Sequence, residues 1–158
     1  PEESLAEMQV YSDLEPIVPF VMGFEGYLKI FVGKPEETES LVKQAMRMSP
    51  HDPLMGLWFG YIGYSKNFLG EDEEAVAWLR LSVSFDPNYG AAHLYLSAAY
   101  ANAGRIDDAK SELATARRLL PGYSIARVRA DARSTNPIYV RGRERIIAGL
   151  RKAGLPEQ

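Results

Sequence analysis

The segments GEDEEAVAWLRLSVSFDPNY, starting at Gly70, and GRIDDAKSELATARRLLPGY, starting at Gly104, superimpose without a gap at an offset of 34 residues. An internal period of this length constrains the fold more tightly than composition does. One such unit is a single supersecondary element that cannot bury its own apolar face, so copies must stack on one another. The correspondence extends to both sides. Phe59 pairs with His93, Ile62 with Leu96, Asp72 with Ile106, Ala75 with Ala109 and Leu79 with Leu113. Pro87 and Pro121 share the spacing; Pro53 lies 34 residues before Pro87, although Pro50 is the better match in context.

Each unit reads as helix, tight turn, helix. Gly70 and Gly104 end the first helix, where a left-handed residue is needed and glycine adopts it at no steric cost. The acidic residues Glu71 to Glu74, and later Asp107 and Asp108, open the second helix, whose positive N-terminal end favours them. Ala75, Leu79 and Ser82 recur at the spacing of a buried helical face, as do Ala109, Leu113 and Ala116. Pro87 and Pro121 stop the second helices.

On these residues the chain resembles the tetratricopeptide repeat (TPR) family, whose units carry an aromatic residue, Leu-Gly and Tyr, then Gly, Ala, an aromatic, Ala and Pro. In residues 56–89, Phe59, Ile62-Gly63, Gly70, Ala75, Leu79 and Pro87 fit, with Lys66 in place of Tyr and Ser82 in place of Ala. In residues 90–123, Leu96-Ser97, Tyr100, Gly104, Ala109, Leu113, Ala116 and Pro121 fit, and His93 takes the aromatic place. A weaker unit spans 19–50: Gly26, Gly33, Ala45 and Pro50 fall on the pattern, while Glu25 replaces Leu and Thr38 the central Ala. Three extra residues, in the stretch SPHDP, separate it from the next unit. Gly63 and Ser97 let paired helices approach closely, and a larger side chain there would overpack.

The resemblance implies an all-α fold, a TPR-type αα superhelix with about three repeats over residues 19–121. Residues 1–18 read as the remnant of a preceding helix and residues 122–158 as C-terminal capping helices. A short helix is predicted over 123–131. Asn136-Pro137 reads as the N-cap and first residue of a longer one, reaching about Lys152 and stopping at Gly154 and Pro156. Its apolar stripe is Tyr139/Val140, Ile146/Ile147 and Leu150, and it is expected to close the exposed end of the last repeat.

A narrower resemblance rests on SPHDP, on FDPNYGAAHLYLSAAYANAGRIDDA and on the ending GLRKAGLPE. Together these are similar to the C-terminal repeat region of bacterial proteins that carry a class III adenylate or guanylate cyclase domain, or sometimes a winged-helix DNA-binding domain, upstream. The chain begins at Pro1 rather than methionine and is expected to be a piece of a longer protein. The cyclase catalytic motifs are not in these residues. The resemblance therefore implies a cytoplasmic regulatory or scaffold region, not an enzyme in its own right.

Composition narrows the chemistry. Hydrophobic residues make up 46%, enough for a core, and the absence of cysteine excludes disulfides, Cys-based zinc sites and a Cys nucleophile. The longest apolar stretch, Ile17 to Phe24, is interrupted by Pro19 and too short to span a bilayer, so no membrane insertion is expected of this segment. Of the two histidines, His51 lies in a Pro-rich turn and His93 reads as a packing residue. No HExxH, EF-hand loop or paired His-carboxylate set occurs, so no catalytic residue, metal or cofactor is assigned. Gly56, Gly60 and Gly63 look like a Gly-rich phosphate loop, but they fall inside a helix and no GK[ST] follows.

Charge is unevenly distributed. Residues 1–104 carry 15 acidic and 6 basic side chains, residues 105–158 carry 6 and 12, a division that could steer a partner or a second copy. Arg127, Arg129, Arg133, Arg141, Arg143 and Arg145 could meet phosphates, but alternate arginines on one helix diverge and this end lacks base-stacking aromatics. Nucleic acid is therefore not the expected partner.

In the TPR family the first helices line a concave groove. Carried onto this chain, the pattern places Phe20, Phe24, Tyr27 and Phe31, then Tyr61, Tyr64 and Phe68, then Tyr95 and Asn102, on that side. Aromatic anchors of this kind suit a protein or peptide partner, or self-association, although several could instead pack neighbouring hairpins. The clamp by which chaperone-binding relatives grip a terminal carboxylate is not expected, because Tyr61 and Tyr95 occupy its Asn place.

Overall fold

The computed structural model describes residues 17–158, which are all-helical, with eight α-helices packed on one another. They are α1 (Ile17–Phe31), α2 (Thr38–Met48), α3 (Met55–Leu69), α4 (Asp72–Phe85), α5 (Gly90–Asn102), α6 (Ile106–Leu119), α7 (Ile125–Ala130) and α8 (Pro137–Ala153). A 3-10 turn, Pro35–Glu37, leads into α2. The helix remnant expected over 1–18 lies almost wholly outside the described residues.

Helices α1–α2, α3–α4 and α5–α6 form three hairpins, and the second helix of each of the first two packs on the first helix of the next. The hairpin turns are built alike. Gly33, Gly70 and Gly104 have φ of +81°, +80° and +80°, a region that side chains strongly disfavour. Asp72, Glu73 and Glu74 fill the first turn of α4, and Asp107 and Asp108 that of α6, so the acidic runs sit where the helix dipole wants them. The second helices end at Phe85 and Leu119, just before Pro87 and Pro121.

Close approach inside the hairpins is set by small residues. A Cβ on Gly63 would lie 2.4 Å from Leu79 Cγ, and one on Gly26 2.9 Å from Val42 Cγ2. Hydroxyls then bond the facing backbone: Thr38 Oγ1 donates to Gly26 O at 2.8 Å, Ser82 Oγ to Gly56 O at 2.7 Å and Ser97 Oγ to Ala109 O at 2.8 Å. Ala75, Leu79 and Ala109 are fully buried beside them, and Tyr100 nearly so. Phe59 is only half-buried, against Trp78 and Phe85. Gly56 and Gly60 pack under Phe85 and Tyr89, as helix-packing glycines rather than a phosphate loop.

The C-terminal helix departs from expectation. Asn136 caps α8, its Oδ1 accepting from Ile138 N at 2.9 Å, and Gly154 ends it with φ of +98°. Yet α8 lies against the first helices, packing mainly on α5 and α3, and does not simply cover the outer end of the last hairpin. Its buried face is Tyr139, Gly142, Ile146, Ile147, Gly149, Leu150 and Ala153. Val140, expected in that stripe, is exposed. The reason is steric: a Cβ on Gly142 would meet Phe68 at 2.2 Å, and one on Gly149 would meet Ala98 O at 2.6 Å. These two glycines, seven residues apart on one face, let α8 sink onto α3 and α5.

Candidate functional site

The first helices bring the expected groove residues into one row. Tyr27 stacks on Tyr61 with ring centroids 4.3 Å apart, and Tyr64 stacks on Tyr95 at 4.2 Å. Phe20, Phe24 and Phe31 extend the row along α1, and Phe68 meets Tyr64 edge-on at 4.8 Å. Tyrosine at three- and four-residue spacing on neighbouring parallel helices gives such a ladder directly, because those positions share a face.

The row is not an open groove. Tyr139 of α8 packs against Phe31 and Phe68, each at 5.5 Å, and roofs the ladder. Tyr61, Tyr64 and Phe68 are buried, Tyr27, Phe31, Tyr95 and Asn102 partly so, and of the nine residues expected on that side only Phe20 and Phe24 are exposed. Asn102 is committed to α8 as well, its Nδ2 donating to Arg145 O at 3.2 Å. Of the two expectations for these aromatics, binding a peptide or packing within the chain, the structure shows packing: Tyr139 of α8 lies against the row. Burial shows in the hydroxyls. It raises Tyr61, beside Tyr27, to about 12, and it also raises Tyr27, Tyr64 and Tyr95.

Two cations explain much of the remaining architecture. Lys66, read from sequence as a departure from Tyr, reaches Glu39 of α2 at 2.9 Å, Glu71 at 2.5 Å and Glu74 of α4 at 2.8 Å. Burial alone would lower its pKa. Hydrogen bonds to Glu71, Glu74 and Glu39 outweigh that and raise it. The acidic run at 71–74 is thus both a helix start and the counter-charge for Lys66. Arg145 of α8 pairs with Asp72 at the start of α4 and so fastens α8 to the second hairpin.

Arg143 behaves otherwise. Its Nη1 donates to Tyr139 Oη at 2.9 Å, while Nε and Nη2 are shielded from solvent and have no hydrogen-bond partner among the described residues. It lines a cavity of about 80 Å³ between the tyrosine ladder and α7–α8, together with Tyr64, Tyr95, Tyr123, Asp131 and Arg133. Sequence reading passed over Tyr123, Tyr139 and Arg143 as site residues. The available signal was the pair of glycines inside the α8 pattern, which marks a helix pressed against others.

The arginines do not make one basic surface. Arg129 pairs with Glu144 at 2.9 Å, Arg133 lies over Phe31, Arg143 turns inward and Arg145 meets Asp72. His93 is held on both ring nitrogens, Nδ1 at 2.6 Å from Glu112 and Nε2 at 3.1 Å from Pro87 O, with no hydroxyl nucleophile among its hydrogen-bond partners. Among the described residues no cluster of three or more His, Asp or Glu is arranged to hold a metal, and no helix is long and apolar enough to cross a membrane. No protein-family model matches the chain, and no curated protein matches it.

Proposed function

We propose that this chain is a non-catalytic interaction module of TPR type, the C-terminal regulatory or scaffold region of a bacterial cyclase-like signalling protein. The observation that supports the reading is an apolar ridge on α1, exposed among the described residues of a stack of hairpins. Val18, Phe20, Val21, Phe24 and Leu28 of α1, and Val32 just past its end, are all exposed. In the later hairpins the equivalent first helices, α3 and α5, are each covered by the second helix of the hairpin before. The ridge is therefore the face on which a stacking helix belongs, and the partner is a protein that supplies one. Five large apolar side chains on one helix, with Val32 next to them, exceed what a solvated surface usually presents in a single run.

A second reading uses the same ridge for a second copy, making the region a dimerisation arm. Class III cyclases form active sites between two catalytic domains, so self-association of a tail would bear on output. Light scattering on the chain and on its Val21→Asp/Phe24→Asp variant separates the two. A dimer split by the substitutions favours the arm. A monomer, whose substitutions abolish regulation of the parent's cyclase activity without changing helicity, favours the partner module. If the parent's activity and assembly are both indifferent to the ridge, the interaction reading fails.

A further inference from the structure

We infer that the outer face of α8 is a seat for an acidic amphipathic helix supplied by a partner protein. This inference is independent of the α1 ridge and rests on different residues.

Helix α8 carries two seams. Tyr139, Gly142, Ile146, Gly149 and Ala153 recur at intervals of three and four residues, and all are buried. One residue before each of them, Ile138, Arg141, Arg145, Ala148 and Lys152 repeat the same intervals. That spacing aligns side chains along one side of a helix and is the pattern by which one helix faces another. A step of one residue turns the second stripe by about 100° from the buried one. All five of its residues line an open groove of about 630 Å³. The far wall of the groove is Pro35, Leu69, Gly70 and Asn102, from the 3-10 turn and the ends of α3 and α5.

Charge sets the chemistry of the occupant. Arg141 and Lys152 are exposed and form no ion pair among the described residues. Lys152 reaches Asn102 Oδ1 at 3.4 Å, and Arg145 between the two is committed to Asp72. Glu36 is the acid that lines the groove, one carboxylate against two unpaired cations. An apolar helix laid on this stripe would bury uncompensated charge, whereas one with carboxylates opposite Arg141 and Lys152 would meet it. Apolar anchors are present as well. Leu69 on one wall and Ile138 on the other are exposed, and Ala148 is small enough to leave room for a side chain between the cations. Eleven residues separate Arg141 from Lys152, about 16 Å along the axis, so the occupant needs about four turns with its acids three turns apart. No exposed aromatic ring lines the groove, so single-stranded nucleic acid finds no stacking platform there. One wall is α8 and the other belongs to α3 and α5, so an occupant bridges them and holds α8 down.

Fluorescence anisotropy of a labelled helical peptide titrated with the whole chain tests this. The probe is an alanine-based peptide of five turns with two glutamates eleven residues apart and two leucines between them on the same face. Saturable one-to-one binding is expected, weakening as salt rises, together with slower hydrogen exchange in α8. Arg141→Glu/Lys152→Glu is expected to weaken binding by at least about tenfold with helicity unchanged, since both side chains are exposed. Arg117→Glu/Arg118→Glu, which reverses two exposed cations of α6, is expected to leave binding unaltered. Failure of the probe to saturate overturns the proposal. Equal binding of the peptide with lysine in place of its glutamates, or of polyglutamate, which lacks the leucines, does so too. So does a variant at 141 and 152 that binds as the native chain does. A dimer in light scattering that this variant dissolves gives the seat to a second copy and overturns the partner helix. Should the variant unfold, exchange in the unaltered chain decides: protection by the probe along α8 and the ends of α3 and α5 upholds the site, and protection elsewhere overturns it.

Discussion

The seam inside each hairpin and the seam between α8 and the first helices both depend on glycine, but they are finished differently. Within the hairpins, Gly26 and Gly63 admit Val42 and Leu79, and the crossing hydroxyls of Thr38, Ser82 and Ser97 each find a backbone carbonyl. Along the α8 seam, Gly142 and Gly149 admit Phe68 and Ala98 as tightly, yet donors and acceptors are left over. Among the described residues, the buried side-chain atoms without partners belong to Arg143 and Arg145 of α8, to Asp72, which pairs with Arg145, and to Asn67, between α3 and α5. A fully satisfied interface specifies one arrangement, whereas a partly satisfied one is where a structure can exchange contacts. The hairpins are the framework, and α8 is the part whose docking conditions can adjust.

The sharpest way to break this comparison is to overpack each seam in turn. Gly63→Leu places a branched side chain where even a Cβ would sit 2.4 Å from Leu79 Cγ, between helices that cannot separate without opening the second hairpin. A loss of at least about 3 kcal/mol is expected, read as a collapsed or absent thermal transition by circular dichroism. Gly142→Leu is as tight locally, 2.2 Å from Phe68 Cδ1, but α8 can lift away. Its expected cost is about 1–3 kcal/mol, with the three hairpins still helical, α8 unprotected in hydrogen exchange, and the tyrosine ladder newly open to a hydrophobic dye. Equal damage from the two substitutions would erase the distinction between framework and lid.

The hairpins were legible because their determinants are local. A glycine with positive φ, an acidic first turn and a small residue facing a leucine recur at a fixed interval, and each acts within a few residues of itself. The side on which Tyr27, Tyr61, Tyr64 and Tyr95 lie followed from carrying the TPR pattern onto the first helices, and the four rings do share one row. Whether that side is open could not follow from it, since occupancy depends on α8, a helix 44 to 112 residues further along. Gly142 and Gly149 advertised close packing without naming the neighbour. The role of Lys66 was hidden for a related reason: Glu71 and Glu74 lie in its own repeat unit, but Glu39 comes from the unit before, so the pattern of one unit shows only a missing tyrosine.

Alkaline pH separates the seams without mutation. Tyr64 and Tyr95 line the cavity under α8, and burial raises both hydroxyls above the ordinary tyrosine value of 10.0. A group whose folded pKa is raised contributes stability that is complete below its unfolded pKa and disappears as pH climbs through the folded value. Docking of α8 should therefore be constant up to about pH 10 and weaken as pH climbs above it. Phenolate absorbance followed together with hydrogen exchange in α8 would show it. A release of α8 that begins well below pH 10 would mean that the tyrosines are not what holds the seam.

The smallest effect should come from the far end of α8. Asn136 caps this helix through Oδ1 and, through Nδ2, donates to Val32 O at 3.1 Å, tying the lid to the C-terminal end of α1. Asn136→Ala removes both bonds. Loss of an N-cap alone costs about 1 kcal/mol, and the second bond is solvent-exposed, so little is added to that figure. What distinguishes the two seams is where the loss falls. If α8 opens independently of the hairpins, exchange should accelerate in residues 137–153 by about five- to tenfold while the midpoint of global unfolding stays nearly fixed. If the midpoint falls by the full cost of the cap, α8 unfolds with the hairpins as one unit, and the groove is sealed rather than lidded.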